Sequence, residues 1–255
     1  MEGPQLFLRY AFKPNSLGYC GGDDNRALLE YGLDGRVDRG LVELEYQFDG
    51  AFPYLQLIAR ASGIADPLDS RVVEAYWIGN RLLDRVDMGS LFRSLEERFR
   101  GRARAKEWRG LVSRVPAGAR LHHSFHVFEV YPRIGFMRTG GVGHVLKTME
   151  QCRIRWGRVL SVRGSELVVE VEPLVLRGDR LELAEARRET ISRRVDGRGF
   201  VDAVRNGDWV SIHWGWACDI LTPRQRANLE HYTRWHVALC NRASAAGVGK
   251  AEVRR

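Results

Sequence analysis

The chain has 255 residues, of which 44% are hydrophobic and 28% charged, with a formal net charge of +8 and an isoelectric point near 9.6. This is enough apolar material for the core of one large domain or two ordinary ones. No apolar run approaches the ~20 residues needed to cross a bilayer, and the opening "MEGPQLFLRYAFKPN" lacks a basic stretch followed by a long apolar one. A soluble, cytoplasmic protein with no membrane partner is expected.

The four cysteines, Cys20, Cys152, Cys218 and Cys240, form no C-x-x-C pair. Free thiols are expected in a reducing compartment, and a disulfide framework, zinc ribbon or iron–sulfur cluster is not. The positive charge is mostly arginine and widely spread, densest in "RFRGRARAKEWRG" and "KAEVRR". Such a pattern is read first as a solvated face and second as a nucleic-acid footprint.

In chain order, the first 115 residues are expected to be mostly helical. "NSLGYCGGDD" places Cys20 in a glycine-rich turn that leads to Asp23 or Asp24 as a helix cap. Ala27, Leu28 and Tyr31 then follow at helical spacing. "RGLVELEYQFDGAFPYLQLIARASGI" predicts two helices broken near Gly50 and Pro53. "DPLDSRVVEAYWIGNRLLDRV" carries an apolar stripe of Val72, Val73, Tyr76, Leu82 and Leu83, and "MGSLFRSLEERFRG" predicts a helix capped at Ser90 and ended at Gly101. "ARLHHSFHVFEVYPRIGFM", rich in β-branched and aromatic residues, is read as a strand in preference to a helix. "RTGGVGHVLKTMEQ", dense in glycine, is read as a linker. From Cys152 to Ile220 the pattern is β, with turns at "RGS", "RGD", "DGRG" and "RNGD" spaced as in a small antiparallel barrel. A last helix starts with Thr222 as cap and Pro223 in its first turn, and "AAGVGKAEVRR" is expected to fray.

Within the β region, "CRIRWGRVLSV" opens with a cysteine and places Gly157, Arg158 and Val159 at a turn. "GDWVSIHWGWA" contains Gly207, Asp208, Trp209, Val210, His213, Gly215 and Ala217. Together these resemble the opening and closing motifs of the HypC/HupF family of nickel–iron hydrogenase maturation chaperones, over residues 150–240. The chain departs from that pattern in three ways. Trp156 stands where the family has proline, the cysteine is internal and not at a processed amino terminus, and a large N-terminal region precedes the barrel. The resemblance implies an OB-like barrel followed by a helix. It also implies that Cys152 and His213 contact an iron carrying cyanide and carbon monoxide ligands, and that the partners are a HypD-type protein and a hydrogenase large subunit. A thiolate is a soft ligand suited to such an iron, and an imidazole can ligate it or donate to a cyanide nitrogen. Against this stand a buried apolar cysteine and an ordinary strand histidine. Trp209, Trp214 and Trp216 are taken as partner-binding residues; stacked on bases they would instead serve a nucleic-acid-binding barrel.

A second candidate metal site comprises His122, His123 and His126 with Cys20. Read as a helix, His122, His126 and Glu129 share a face; read as the preferred strand, His122 and His126 share one and His123 lies opposite. The expected architecture is α+β, with a mainly helical domain over 1–145, then an OB-like antiparallel barrel and C-terminal helix over 146–245. The expected function is delivery of the hydrogenase iron. The alternatives are a metal-dependent enzyme handling a diatomic ligand in the N-terminal domain, and an OB-type nucleic-acid binder.

Overall fold

The computed structural model describes residues 1–134 and 141–245. Its first element, α1 (Gly3–Ser16), buries Phe7, Leu8, Tyr10, Ala11 and Phe12; the sequence reading had passed over it. Around it pack α2 (Asn25–Asp34), α3 (Arg39–Glu45), α4 (Phe52–Ser62), α5 (Ser70–Trp77), α6 (Met88–Phe99) and α7 (Ala105–Val112). Asp24 caps α2 by accepting from the Ala27 amide at 3.0 Å. The cap of α6 is Asp87, not Ser90, whose amide donates to that carboxylate. The apolar stripe after Asp69 does not run on as one helix: α5 stops at Trp77, and a 3-10 turn covers Arg81–Arg85.

The segment expected as a strand is helical. After Leu121 come α8 (His123–Phe125), a π-helical turn (His126–Val130) and α9 (Tyr131–Ile134). Every residue from 121 to 130 is buried. A helix buried on all sides shows no 3.6-residue stripe, so β-branched and aromatic content misleads. His122 starts the helix, its ring nitrogen accepting from the Ser124 amide at 3.1 Å. The expected linker is corrected too: α10 spans Val142–Cys152, with glycines only at its start. The rest of that linker, residues 138–140, and the expected fraying after 245 lie outside the described residues. Cys152 therefore closes a helix; it does not open a strand.

The β region forms β1 (Arg155–Arg163), β2 (Glu166–Val171), β3 (Leu174–Arg177), β4 (Arg180–Leu183), β5 (Arg187–Ser192), β6 (Trp209–His213) and β7 (Trp216–Ile220). Five strands close a barrel in the order β1-β2-β5-β7-β6, with β5 and β7 parallel and the other pairs antiparallel. This is the OB-type Greek-key arrangement, with the β3–β4 hairpin inserted. Gly157 lies inside β1 and not at a turn; a Cβ there would sit 2.9 Å from both Ile212 and Val171. Alternating residues such as Val159, Val169, Val210 and Ile212 fill the barrel. Finally α11 (Pro223–Ala245) begins at a capping box, in which Thr222 accepts from the Gln225 amide and Gln225 accepts from the Thr222 amide.

The molecule is thus α+β: helices, a small antiparallel barrel, then a helix. One apolar cluster joins α1, α4 and α5 to barrel residues Trp156, Trp216 and Cys218 and to Leu229 of α11. The boundary expected at 145/146 falls inside α10. No helix among the described residues is long and apolar enough to cross a membrane.

Candidate metal centre

The end of α10, the β6–β7 turn and the first turn of α8 converge beside α1. The Trp214 amide donates to the Gln151 carbonyl at 2.9 Å, taking up one of the carbonyls that a helix C-terminus leaves free. Buried charges lock the other side of the junction. Glu150 accepts from Arg153 at 2.8 Å and Arg155 at 3.2 Å, and Arg155 also pairs with Glu189. Cys152 and His213, distant in the chain, are held side by side as a result. His123 completes the group: one ligand atom from each of the three residues lies within 4.8 Å of the others, and all three residues are buried. Binding one ion at about 2.1 Å from nitrogen and 2.3 Å from sulfur requires the three to close in by roughly 1 Å.

His213 is oriented by an unusual acceptor. Its Nδ1 lies 2.7 Å from the Tyr10 carbonyl. Four residues after Tyr10 in α1 stands Pro14, which has no N–H to offer that carbonyl. A carbonyl only accepts, so Nδ1 carries the proton and Nε2 presents a lone pair. Burial holds the ring neutral, its pKa lowered from the usual 6.5 to about 4. Nε2 is buried and closes no hydrogen bond, with the Cys152 carbonyl the other backbone oxygen that the ring faces. A lone pair fixed in this way, with the second nitrogen tied to a carbonyl, is the usual state of a metal-ligating histidine.

His123 bridges two groups. Nε2 lies 2.9 Å from the Cys152 carbonyl and 3.8 Å from its Sγ, and Nδ1 lies 3.1 Å from the Tyr76 hydroxyl. Without a metal, Nε2–H donates to the carbonyl and Tyr76 donates to Nδ1. With a metal on Nε2, the proton moves to Nδ1 and Tyr76 accepts, since a phenol serves either role. Burial pushes the Cys152 thiol up and the His123 ring well down. A thiolate here therefore needs a cation beside it.

These donors line a cavity of about 60 Å³ whose walls include Phe48, Tyr76, Trp77, Tyr131 and Trp214. By the same measure a water needs about 10–15 Å³, so the space holds a few water-sized groups. Trp214 takes φ +52 and Gly215 φ +69, the two left-handed positions of a two-residue hairpin turn. A tryptophan there costs about 1–2 kcal/mol, and its ring stacks at 4.0 Å on Tyr19, which lines the cavity with it. Strain of this kind concentrates at functional sites.

The structure divides the predicted second site. His123, His126 and Cys20 line the same cavity as Cys152 and His213, so the two expected sites form one. His126 hydrogen-bonds to Tyr54 through Nδ1 at 3.1 Å. His122 faces away: it stacks on Tyr232 and bonds to Ser124, which also meets His236 at 2.7 Å. Glu129 is paired with Arg114 and Arg133 and does not line the cavity. Of the tryptophans expected to face partners, Trp216 is wholly buried against Phe12 and Phe200, and Trp209 lies under Arg226. Only Trp214 lines the cavity. The sequence reading missed Tyr10, Pro14, Tyr76 and Tyr19. Pro14 inside a run of helical spacing was the one available signal.

Comparison with known proteins gives a match of residues 1–247 to the model of a family of unknown function, DUF6390. No curated protein and no solved structure matches.

Proposed function

Because the chain belongs to that family through its helices and its barrel alike, we propose a single function for the whole: it carries a soft transition-metal centre on His123, Cys152 and His213. The observation that carries this reading is the buried, unpartnered Nε2 of His213 beside the Cys152 thiol and the His123 ring. An orphaned buried lone pair is costly in a native protein, and a cation among these three donors removes the cost. Two nitrogens and one thiolate suit iron, zinc or cobalt and disfavour magnesium or calcium.

The barrel motifs favour iron as cargo. In the HypC/HupF pattern the cysteine and the closing histidine serve the iron of nickel–iron hydrogenase. Here Cys152 has no terminal amine, and His123 supplies a third donor from outside the barrel. The apolar cavity suits an iron bearing cyanide and carbon monoxide, and the partners would be a HypD-type protein and the hydrogenase large subunit. The nucleic-acid alternative is less favoured, since Trp216 is buried and the half-buried Trp209 lies under Arg226.

The test is infrared spectroscopy of protein purified anaerobically from cells making a hydrogenase. Bands of metal-bound cyanide and carbon monoxide, lost in Cys152→Ser, are expected. Metal bound without those bands would leave a metal carrier of another kind, and no metal in any preparation would end the proposal.

A further inference from the structure

Cys20 has no part in the three-donor group, yet the chain positions it with care. It sits in the loop between α1 and α2. Asn15, itself 4% exposed, donates from Nδ2 to the Cys20 carbonyl at 2.8 Å and to the Gly22 carbonyl at 2.6 Å. That clamp holds the backbone and leaves the thiol free to line the cavity shared with Cys152. Tyr131 lines the same cavity as both thiols. Cys20 is half-buried whereas Cys152, His123 and His213 are buried, and its neighbour Tyr19 is 42% exposed. The order from solvent inward is therefore Tyr19, Cys20, then the three donors. His126 faces the same space, with Nδ1 engaged by Tyr54 and Nε2 on the side of Gly50.

Resting on the metal-carrier reading, we infer that Cys20, with His126 of the same cavity wall, is an outer station through which the metal ion enters and leaves the His123–Cys152–His213 site. A buried site has a kinetic problem. An ion leaving three ligands at once must cross an apolar cavity as a bare charge, which is very unfavourable. A second thiol nearer the solvent replaces that step with a ligand exchange. The Cys20 sulfur–metal bond forms as the Cys152 sulfur–metal bond breaks, and a bond to His126 Nε2 forms as the bonds to His123 and His213 break in turn, each imidazole remaining neutral. The proton released by Cys20 ends on Cys152, and the oxidation state of the metal does not change. No net charge is created in the cavity.

An exchange station accelerates both directions and leaves the equilibrium alone. Cys20→Ser is nearly isosteric and keeps both Asn15 hydrogen bonds, which go to backbone carbonyls. Co(II) serves as the probe, read by its thiolate charge-transfer band in loading experiments and in stripping by EDTA. Expected for Cys20→Ser is an affinity within about two-fold of the wild type, with loading and stripping both slowed about ten-fold or more. Unchanged rates would overturn the inference. So would a large loss of affinity with a halved band, which would make Cys20 a permanent ligand. Cys152→Ser run alongside keeps the two proposals apart. If it binds Co(II) like the wild type, the three-donor site itself is wrong and the station falls with it. If it loses Co(II) while Cys20→Ser keeps wild-type rates, only the station is wrong.

Discussion

His122 and His123 are adjacent in the chain and equally buried, yet they belong to regions of opposite chemistry. On the His122 side, backbone amides dictate every proton. The Arg120 amide donates to Nε2 of His236, whose Nδ1–H then faces the Ser124 hydroxyl; the Ser124 amide donates to Nδ1 of His122, and the hydroxyl lies between that nitrogen and the Tyr232 carbonyl. What remains on His122 is a buried Nε2–H that faces the carbonyls of Ile78 and Trp77 but, like Nε2 of His213, closes no hydrogen bond. On the His123 side a backbone carbonyl dictates the proton, and what remains on His213 is a lone pair. A metal requires the lone pair. The first region ties α11 to α8 and the second can hold an ion, although both are clusters of buried histidines. The atom left over distinguishes them, not the residue type.

Acid should break both regions and gives the largest effect. Burial lowers the pKa of His122 and His126 to about 3 and of His213 to about 4, and drives His123 and His236 well below 6.5. Each ring binds a proton in the unfolded chain below about pH 6.5 but not in the folded one. Stability is therefore full above that pH and falls as pH drops toward the folded values, by up to about 1.4 kcal/mol per pH unit for each histidine. Urea unfolding between pH 7 and 4 should show a steep loss; a flat profile would mean that the rings are not buried neutral.

Paired substitutions separate the regions. His213→Ala should cut Co(II) affinity at least ~100-fold. His236→Ala should lower unfolding stability by about 2–4 kcal/mol through two lost hydrogen bonds and a cavity, while the folded fraction keeps its Co(II) affinity. Equal effects of the two on metal titration would erase the distinction.

Tyr76→Phe removes the partner of His123 Nδ1. An affinity loss of about ten-fold is expected with the charge-transfer band intact, since outer partners orient ligands without binding the metal. Co(II) titration with band intensity measures both quantities.

The smallest effect is Pro14→Ala. It restores an amide that competes for the Tyr10 carbonyl, with a stability change under about 1 kcal/mol. Nitrogen chemical shifts of His213 should show some proton density moving from Nδ1 to Nε2; no movement would mean that the Tyr10 carbonyl does not set the tautomer.

Much of the barrel was legible because its strands expose one face and bury the other, and because "RGD" and "RNGD" mark tight turns. Thr222 and Pro223 announced α11 by local chemistry alone. The pairing of Cys152 with His213 came from the resemblance of two motifs to the HypC/HupF pattern. The segment 121–130 was misread because it is buried all round, and a period cannot be seen where every position is apolar or enclosed. Strand and helix readings alike group His122 with His126, but His122 is the non-helical cap of α8 and a π-helical turn begins at His126, so His123 and His126 share the cavity and His122 turns to α11.

Sequence by itself thus determined the α+β composition, the order of helices, barrel and final helix, and the residue types able to hold a metal. Only the tertiary structure decided which of those residues meet. A histidine's usable atom depends on what its other nitrogen bonds, and for His213 that partner is a carbonyl of α1 set free by Pro14, at the opposite end of the chain.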